Sequence, residues 1–461
     1  MVLTSMAHTQ PLLALLIQAV QPTDLSGNLI WLGIGGASAF LLSYVFIFGL
    51  IRLSRRFHLI RTIEPGRKQD KVPRLGGVAI FLAFIVASLI FYIRDPDLQS
   101  KEVVIYWLFL AASTLIVLVH AYDDIKPLKP LPKLLAQTLA VLIILGPYTN
   151  GRFNGVLLFG FSNPFQAALS QAALPWYKAP IVTLFITQPV ITWAAIPAVF
   201  VTWFWMVGMM NAVNLTDGLD GLAGGVVAIT GIFITITSFL LQQYTIALLS
   251  AIFTGAVLGF LPFNWNPAKI YMGDSGSQFL GLGLAVLSIM GGAKVALALM
   301  VLGVPIMDVA VVIINRIRRG QHPLHYDKTH LHYRLQATGL SVKQICYVFY
   351  ALTAVFGILA LRFEHFYKLI GIALVVVTIS VMIAWIDRRQ QKRGKPIKLD
   401  GPDPDPYSGQ QSDLLTSLDS KQEELSLKNN AESAVGNSKD LLNEDNHSAL
   451  PPSPSTRTYT V

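Results

Sequence analysis

Eleven apolar stretches divide this chain, at residues 29–51, 75–93, 103–120, 133–147, 190–210, 222–240, 245–262, 276–290, 293–314, 344–361 and 367–386. A helix needs about 20 mostly apolar residues to cross a bilayer, and inside the hydrocarbon every backbone polar group must be paired within the protein. These two demands confine the chain to one fold class, an all-α polytopic membrane protein. Because 133–147 and 276–290 are short, the expectation is eleven transmembrane helices, or ten. Composition agrees, with 53% of the 461 residues hydrophobic and 13% charged, roughly half the charge of a soluble domain.

Basic residues set the expected orientation. With the 52–74 loop placed inside, the inner connections up to Lys398 hold 24 Lys or Arg and the outer ones 7. Lys and Arg near membrane spans stay on the cytoplasmic side, which predicts the N-terminus outside and the C-terminus in the cytoplasm. No Lys or Arg precedes Arg52, so the charged start of a cleaved signal peptide is not expected. Three regions follow: an extracytoplasmic segment at 1–28, a membrane domain at 29–386 and a polar tail at 387–461. The tail is basic and then acidic, has too little apolar content for a core, and is expected to be disordered. Outside, "NGRFNGVLLFGF" predicts a short hairpin and "APIVTLFITQPVITWAA" a re-entrant or interfacial piece. The net charge of +9 reports topology and anionic ligands, and calls for no nucleic acid. The one cysteine, Cys346, excludes an internal disulfide and reads as packing.

In that orientation the polar clusters fall on the cytoplasmic side. In "YDDIKPLKPLPK" the carboxylates of Asp123 and Asp124 diverge in any regular structure, so both face one ligand only at an irregular helix end, with Lys126, Lys129 and Lys133 as counter-charge. "NAVNLTDGLDGLAGG" places Asn211, Asn214, Asp217 and Asp220 at a membrane edge without a cation. One helix cap explains one such residue, not four, and carboxylates there are costly and usually functional. In "FNWNPAKIYMGDSGSQFLG", Asp274 stands between Gly273 and Gly276 at the start of an expected helix from 276. It reads either as a cap or as a ligand at a dipole-favoured site. Asp308, about two turns inside its helix, reads as catalytic or as an ion-pair partner of Arg316 or Arg318. "NRIRRGQHPLHYDKTHLHYRL" carries His322, His325, His330 and His332 among four arginines. Zinc could use the histidines, but the arginines favour a phosphate. Carboxylates with Mg²⁺ and Lys or Arg together make a phosphoryl-transfer site, and Mg²⁺ needs only one or two protein ligands.

These stretches, together with "VPRLGG" at 72–77, resemble in order the motifs of the polyprenyl-phosphate N-acetylhexosamine-1-phosphate transferases, a part of glycosyltransferase family 4. The likeness runs from about residue 50 to 386. It implies transfer of a sugar-1-phosphate from a UDP-N-acetylhexosamine to undecaprenyl phosphate in the plasma membrane, with release of UMP. The implied cofactor is Mg²⁺, with Mn²⁺ as the alternative, held by Asn214 and Asp274. Asp123 is the implied catalytic residue acting on the lipid phosphate, supported by Asp124 and Asp220. Asp217 and Tyr271 are placed near the uridine, and Lys133, His330, His332 and Arg316 near phosphates and sugar. The UDP-MurNAc-pentapeptide branch typically carries "PTMGG" where this chain has "PRLGG", which points to the UDP-GlcNAc branch. That branch ends its last motif His-x-His-His, and here Tyr333 replaces the final histidine. A homodimer is compatible with the sequence, which contains nothing that demands it. The rival class is a transporter of a phosphorylated solute, expected to place its polar groups near the membrane midplane rather than at one face.

Overall fold

The computed structural model describes residues 25–57, 72–95, 97–149, 152–158, 180–183, 190–192, 195–290, 295–318, 330–363 and 367–392. The N-terminal segment up to residue 24, His322, His325 and the tail beyond Lys392 lie outside the described residues. In chain order the helices are α1 (Leu25–Phe57), α2 (Gly76–Phe91), α3 (Ser100–Ile125), α4 (Pro130–Leu145), α5 (Ala195–Thr216), α6 (Leu222–Leu240) and α7 (Tyr244–Asn264). They continue with α8 (Gly273–Ile289), α9 (Val295–Val301), α10 (Gly303–Arg318), α11 (Leu331–Ala337), α12 (Val342–Arg362) and α13 (Tyr367–Lys392).

Each of the eleven apolar stretches is helical over most of its length, but length separates them. Among the described residues seven helices are long and apolar enough to cross a membrane, and α9 with α10, bent by 74° at their break, are so only when taken together, as a broken span or a re-entrant loop. Helices α2 and α4 have 16 residues and α8 has 17, which at 1.5 Å per residue is about 24–26 Å against a hydrocarbon core of about 30 Å. All three short helices begin at the site described below. The last helix runs on to Lys392, past the expected end of the membrane domain at 386.

Two small hairpins modify the all-helical expectation. Strands β1 (Tyr148–Thr149) and β2 (Arg152–Phe153) pair antiparallel, Tyr148 opposite Phe153, at the start of the predicted hairpin. The stretch expected to be re-entrant forms β3 (Pro180–Thr183) and β4 (Val190–Thr192), also antiparallel. The apolar run from 190 therefore starts as strand and turns helical only at Ala195. Its Val, Ile and Thr are strand formers.

Helix α8 is the axis of the bundle, buried at every residue from Ser275 to Ile289 and in contact with α2, α3 and α5. Phe279 on α8 meets Phe81, Phe84 and Phe253 at centroid distances of 5.0, 5.6 and 5.8 Å in edge-on or tilted geometry, the arrangement aromatic rings prefer. The outer helices do the reverse. Leu29, Leu41 and Val45 on α1 and Leu369, Val377 and Val381 on α13 are exposed. Contiguous apolar surface of this kind suits lipid, not water, and the chain is a multi-pass membrane protein.

Candidate active site

Helix α3 stays regular through Asp123 and Asp124, and the chain turns extended only at Lys126. The two carboxylates therefore diverge and take different partners. Asp123 Oδ1 accepts from the Leu128 amide at 2.6 Å, which holds the proline-rich turn, and its Oδ2 pairs with Lys133 Nζ at 2.6 Å. Asp124 turns to the start of α8. It accepts the amides of Asp274 and Ser275 at 2.7 and 3.1 Å and the Ser275 hydroxyl at 2.7 Å. Those amides have no partner within their own helix, so α3 caps α8 through Asp124. Gly273 makes this approach feasible, because it has a positive φ of 74° and a Cβ there would overlap the Arg74 carbonyl and crowd the Asp124 carboxylate.

From Asp123 the polar chain continues without a gap. Lys133 Nζ also reaches Asp274 Oδ2 at 2.9 Å, and Asp274 Oδ1 accepts from Asn214 Nδ2 at 3.1 Å. Asn214 also donates to Ser277 Oγ at 2.8 Å. Behind it Gln137 donates to Gln278 at 2.8 Å and Asn211 donates to Gln137 at 3.2 Å. The "VPRLGG" segment is fastened to the same place. Tyr271 and Met272 accept the amides of Gly76 and Gly77 at 3.0 and 2.8 Å, and the Tyr271 amide donates to Pro73 at 2.8 Å. Helices α2 and α8 cross so closely that a Cβ on Gly77 would overlap the Gly276 backbone.

Asp217 follows the end of α5, half-buried. Desolvation, then Asp274 and Asp124, push its carboxyl well above the usual value, while Arg74 pulls it down. Asp220, three residues on, has partners of its own. Its Oδ2 accepts from Asn266 Nδ2 at 2.8 Å and the Ala268 amide at 3.1 Å, tying this loop to the one that follows α7.

On the other side stand the histidines. Asp308 binds His330 Nδ1 at 3.1 Å and accepts the Leu331 amide at 2.8 Å, so among the described residues the side chain it meets is a histidine, where the sequence had left a catalytic role or an arginine pair open. Arg316 is buried two turns further along α10. His330 and His332 are parallel within 11° with centroids 5.8 Å apart. His332 lies against Gly218, where a Cβ would overlap its ring, and its buried Nε2 has no hydrogen-bond partner among the described residues. Desolvation lowers the His332 pKa to about 4. Tyr333 packs on His332 at 4.2 Å.

Lys133, Asn214, Asp274 and Asp123 thus form one connected group, with Asp124 and Asp217 beside it and His332 against the Asp217 loop. Two neighbours did not stand out in the sequence. Arg74 lay unremarked within its motif, and only its charge next to a Gly pair could have marked it. His120, fully buried, donates from Nδ1 to the Ile116 carbonyl at 2.9 Å, and its spacing of three from Asp123 puts it on the same helix face.

The donors suit a hard cation. Among the described residues no three His, Cys, Asp or Glu side chains converge to cage a metal. The Asn214 amide oxygen and the Asp274 carboxylate are oxygen donors of the kind Mg²⁺ takes in ones and twos while keeping its waters.

A family model, "Glycosyl transferase family 4", matches residues 106–292. The chain is 32% identical over 299 residues to the "Probable undecaprenyl-phosphate N-acetylglucosaminyl 1-phosphate transferase" of Bacillus subtilis (strain 168), covering 63% of this chain and 74% of that one. It is 30% identical over 356 residues to a "Phospho-N-acetylmuramoyl-pentapeptide-transferase" of Oceanobacillus iheyensis, covering 74% and 99%. It is 32% identical over 305 residues to the "Decaprenyl-phosphate N-acetylglucosaminephosphotransferase" of Mycobacterium tuberculosis (strain ATCC 25618 / H37Rv), covering 60% and 69%. The fold and the comparisons define a membrane-embedded transferase, which sets the transporter alternative aside. The chain belongs to glycosyl transferase family 4.

Proposed function

We propose that this enzyme transfers N-acetylglucosamine-1-phosphate from UDP-N-acetylglucosamine to undecaprenyl phosphate at the cytoplasmic face, releasing UMP, and so starts a lipid-linked cell-wall or surface glycan. The observation that carries the proposal is the unbroken chain from Asp123 through Lys133 and Asp274 to Asn214, a cation set among oxygen donors at the mouth of a buried helix. A phosphate oxygen of the lipid attacks the sugar-bearing phosphorus. The bond from that phosphorus to the bridging oxygen breaks, and UMP leaves with that oxygen. Asp123 orients the lipid phosphate and accepts its proton when it carries one. Lys133, already between two carboxylates, moves its charge onto the phosphates. Asn214 and Asp274 would hold Mg²⁺, which supplies neutralisation of the diphosphate. Asp124 fixes Asp274 in place, and Asp220 fixes the loop that bears Asp217. Asp217 and Tyr271 face the uridine, and His330, His332 and Arg316 face the phosphates and sugar.

A second reading, with UDP-MurNAc-pentapeptide as donor, is favoured by the similarity to the Oceanobacillus iheyensis relative. The "PRLGG" motif, with Arg74 beside Asp217, favours the first. UMP release by the purified protein with undecaprenyl phosphate and Mg²⁺ separates them. Release from UDP-GlcNAc alone supports the proposal, release from the pentapeptide alone moves the enzyme to the second donor, and release from neither refutes both.

A further inference from the structure

Asp308 lies on α10, in a helix otherwise apolar over its first turns, and its side chain is almost fully buried. No part of the mechanism above uses it. Its two oxygens have separate tasks. Oδ1 accepts the amide of Leu331, the first residue of α11, one of the helix-end donors that would otherwise be unpaired. Oδ2 meets His330 Nδ1 at 3.1 Å. An ionised carboxylate only accepts hydrogen bonds, so this contact places a proton on His330 Nδ1 and turns the ring's other nitrogen, Nε2, away from α10. His330 is itself buried and stacks parallel to His332. His332 in turn presses on Gly218 of the loop that carries Asp217.

We infer that Asp308 is a positioning residue of the transfer reaction: it sets the tautomer and ring plane of His330 and, through the stack, the seat of His332 against the Asp217 loop. The inference rests on the proposed function for its catalytic meaning. The geometry behind it stands apart from any choice of donor. A carboxylate serving only as a helix cap needs one acceptor oxygen. This one supplies two, and the second is spent on a histidine. Removing the partner that orients a metal-ligating histidine costs about 10–100-fold in affinity or activity, and an effect of that order is expected for the orienting contact to His330.

Asp308→Asn separates the two tasks. Asparagine keeps one oxygen and caps as well as aspartate, but its second atom is an NH₂ donor. Facing that donor, His330 must accept at Nδ1, and its proton moves to Nε2. The expected result in detergent-purified full-length protein is a fall of roughly thirty- to hundredfold in kcat/KM for UMP release, with an unchanged thermal midpoint. A rate within threefold of wild type would overturn the inference. In a double-mutant cycle, Asp308→Asn added to His330→Ala should cost less than about threefold more, since the two act through one contact. Fully multiplicative losses would show that Asp308 acts elsewhere. Selective ¹⁵N-histidine labelling of the wild-type protein, with His330 assigned from a His330→Asn variant, reads the tautomer directly and needs neither turnover nor a foldable Asp308 variant. A protonated Nδ1 supports the inference, and a proton on Nε2 alone refutes it. Should wild-type protein release no UMP from either donor, the proposed function fails, and the ¹⁵N spectrum still decides for or against the Asp308–His330 arrangement.

Discussion

Asp124 and Asp308 play matching parts, each a buried carboxylate reaching from its own helix to the first amides of another. The helices they cap differ greatly. Asp124 holds α8, buried from Ser275 onward and packed against several neighbours, and it does so with three donors while Lys133 and Asn214 grip the adjacent Asp274. Asp308 holds α11, a helix of seven residues, too short to persist without tertiary support. The acidic side is therefore over-determined and the histidine side is not. Where several bonds share a task, removing one costs stability and little else. Where one group holds the geometry or the charge, removing it costs turnover.

The strongest test of that contrast removes a charge that nothing else replaces. Asp274→Asn keeps the size of the side chain but deletes the proposed metal carboxylate and the partner of Lys133. A drop of about a thousandfold in UMP release is expected, in the range for losing a central electrostatic contact. Titrating Mg²⁺ from micromolar to tens of millimolar checks the cause, and a near-normal rate at low Mg²⁺ would remove Asp274 from the metal site.

Lys133→Met should rank next. It leaves Asp123 and Asp274 facing each other without the ammonium that bridges them at 2.6 and 2.9 Å. The expected fall in kcat is about a hundredfold, with the protein still folded because the Asp124 cap is untouched. A loss below tenfold would mean that the bridge is a resting-state contact only.

The histidine side has its own signature in pH. His332 is buried and its pKa in the folded protein is lowered to about 4 from 6.5. As pH falls below 6.5 the unfolded chain binds a proton that the folded one does not bind until about pH 4. Stability is therefore greatest above 6.5, declines between 6.5 and 4, and levels off below. The shift corresponds to roughly 3 kcal/mol at 1.4 kcal/mol per unit. Thermal midpoints across pH 4–8 should slope in wild type and flatten in this window in His332→Gln. Equal slopes in both would assign the acid sensitivity to other groups.

What the sequence disclosed and what it concealed follow the same division. Hydropathy located the apolar helices but missed α11 and did not settle how many cross the membrane, since seven among the described residues are long enough to span where ten or eleven were expected. Residue type marked Asp123, Asp217 and Asp274 as candidates, because carboxylates in so apolar a chain have few structural excuses, and Asn214 by its place among them; the structure joins Asp123, Asp274 and Asn214 through Lys133. Partners were another matter. The bonds from Asp124 to the start of α8 span 150 and 151 residues of chain, and that between Gln137 and Gln278 spans 141. No local pattern encodes such distances. Asp308 was left open between catalysis and an ion pair with Arg316 or Arg318, its neighbours in sequence, yet the side chain it meets is a histidine 22 residues away. The break between α9 and α10 was also hidden within a continuous apolar run, although Pro305, which lacks an amide proton to bond back to the preceding turn, lies just beyond it.

The smallest effect is the most exacting check on redundancy. Ser275 donates both its amide and its hydroxyl to Asp124, and the Asp274 amide supplies a third bond. Ser275→Ala deletes the hydroxyl alone and leaves both backbone donors, the amides of residues 274 and 275, in place. The side chain is fully buried, so no water takes its place without a cavity to hold it. One lost hydrogen bond of this kind costs about 1–2 kcal/mol, which in a chain of this size lowers the thermal midpoint by a few degrees at roughly 2–4 °C per kcal/mol. UMP release should stay within about twofold of wild type, because Asp274 remains held by Lys133 and Asn214. If Ser275→Ala instead fell as far as Lys133→Met, the three bonds to Asp124 would not be interchangeable, and the hydroxyl would have to act on substrate rather than on the scaffold.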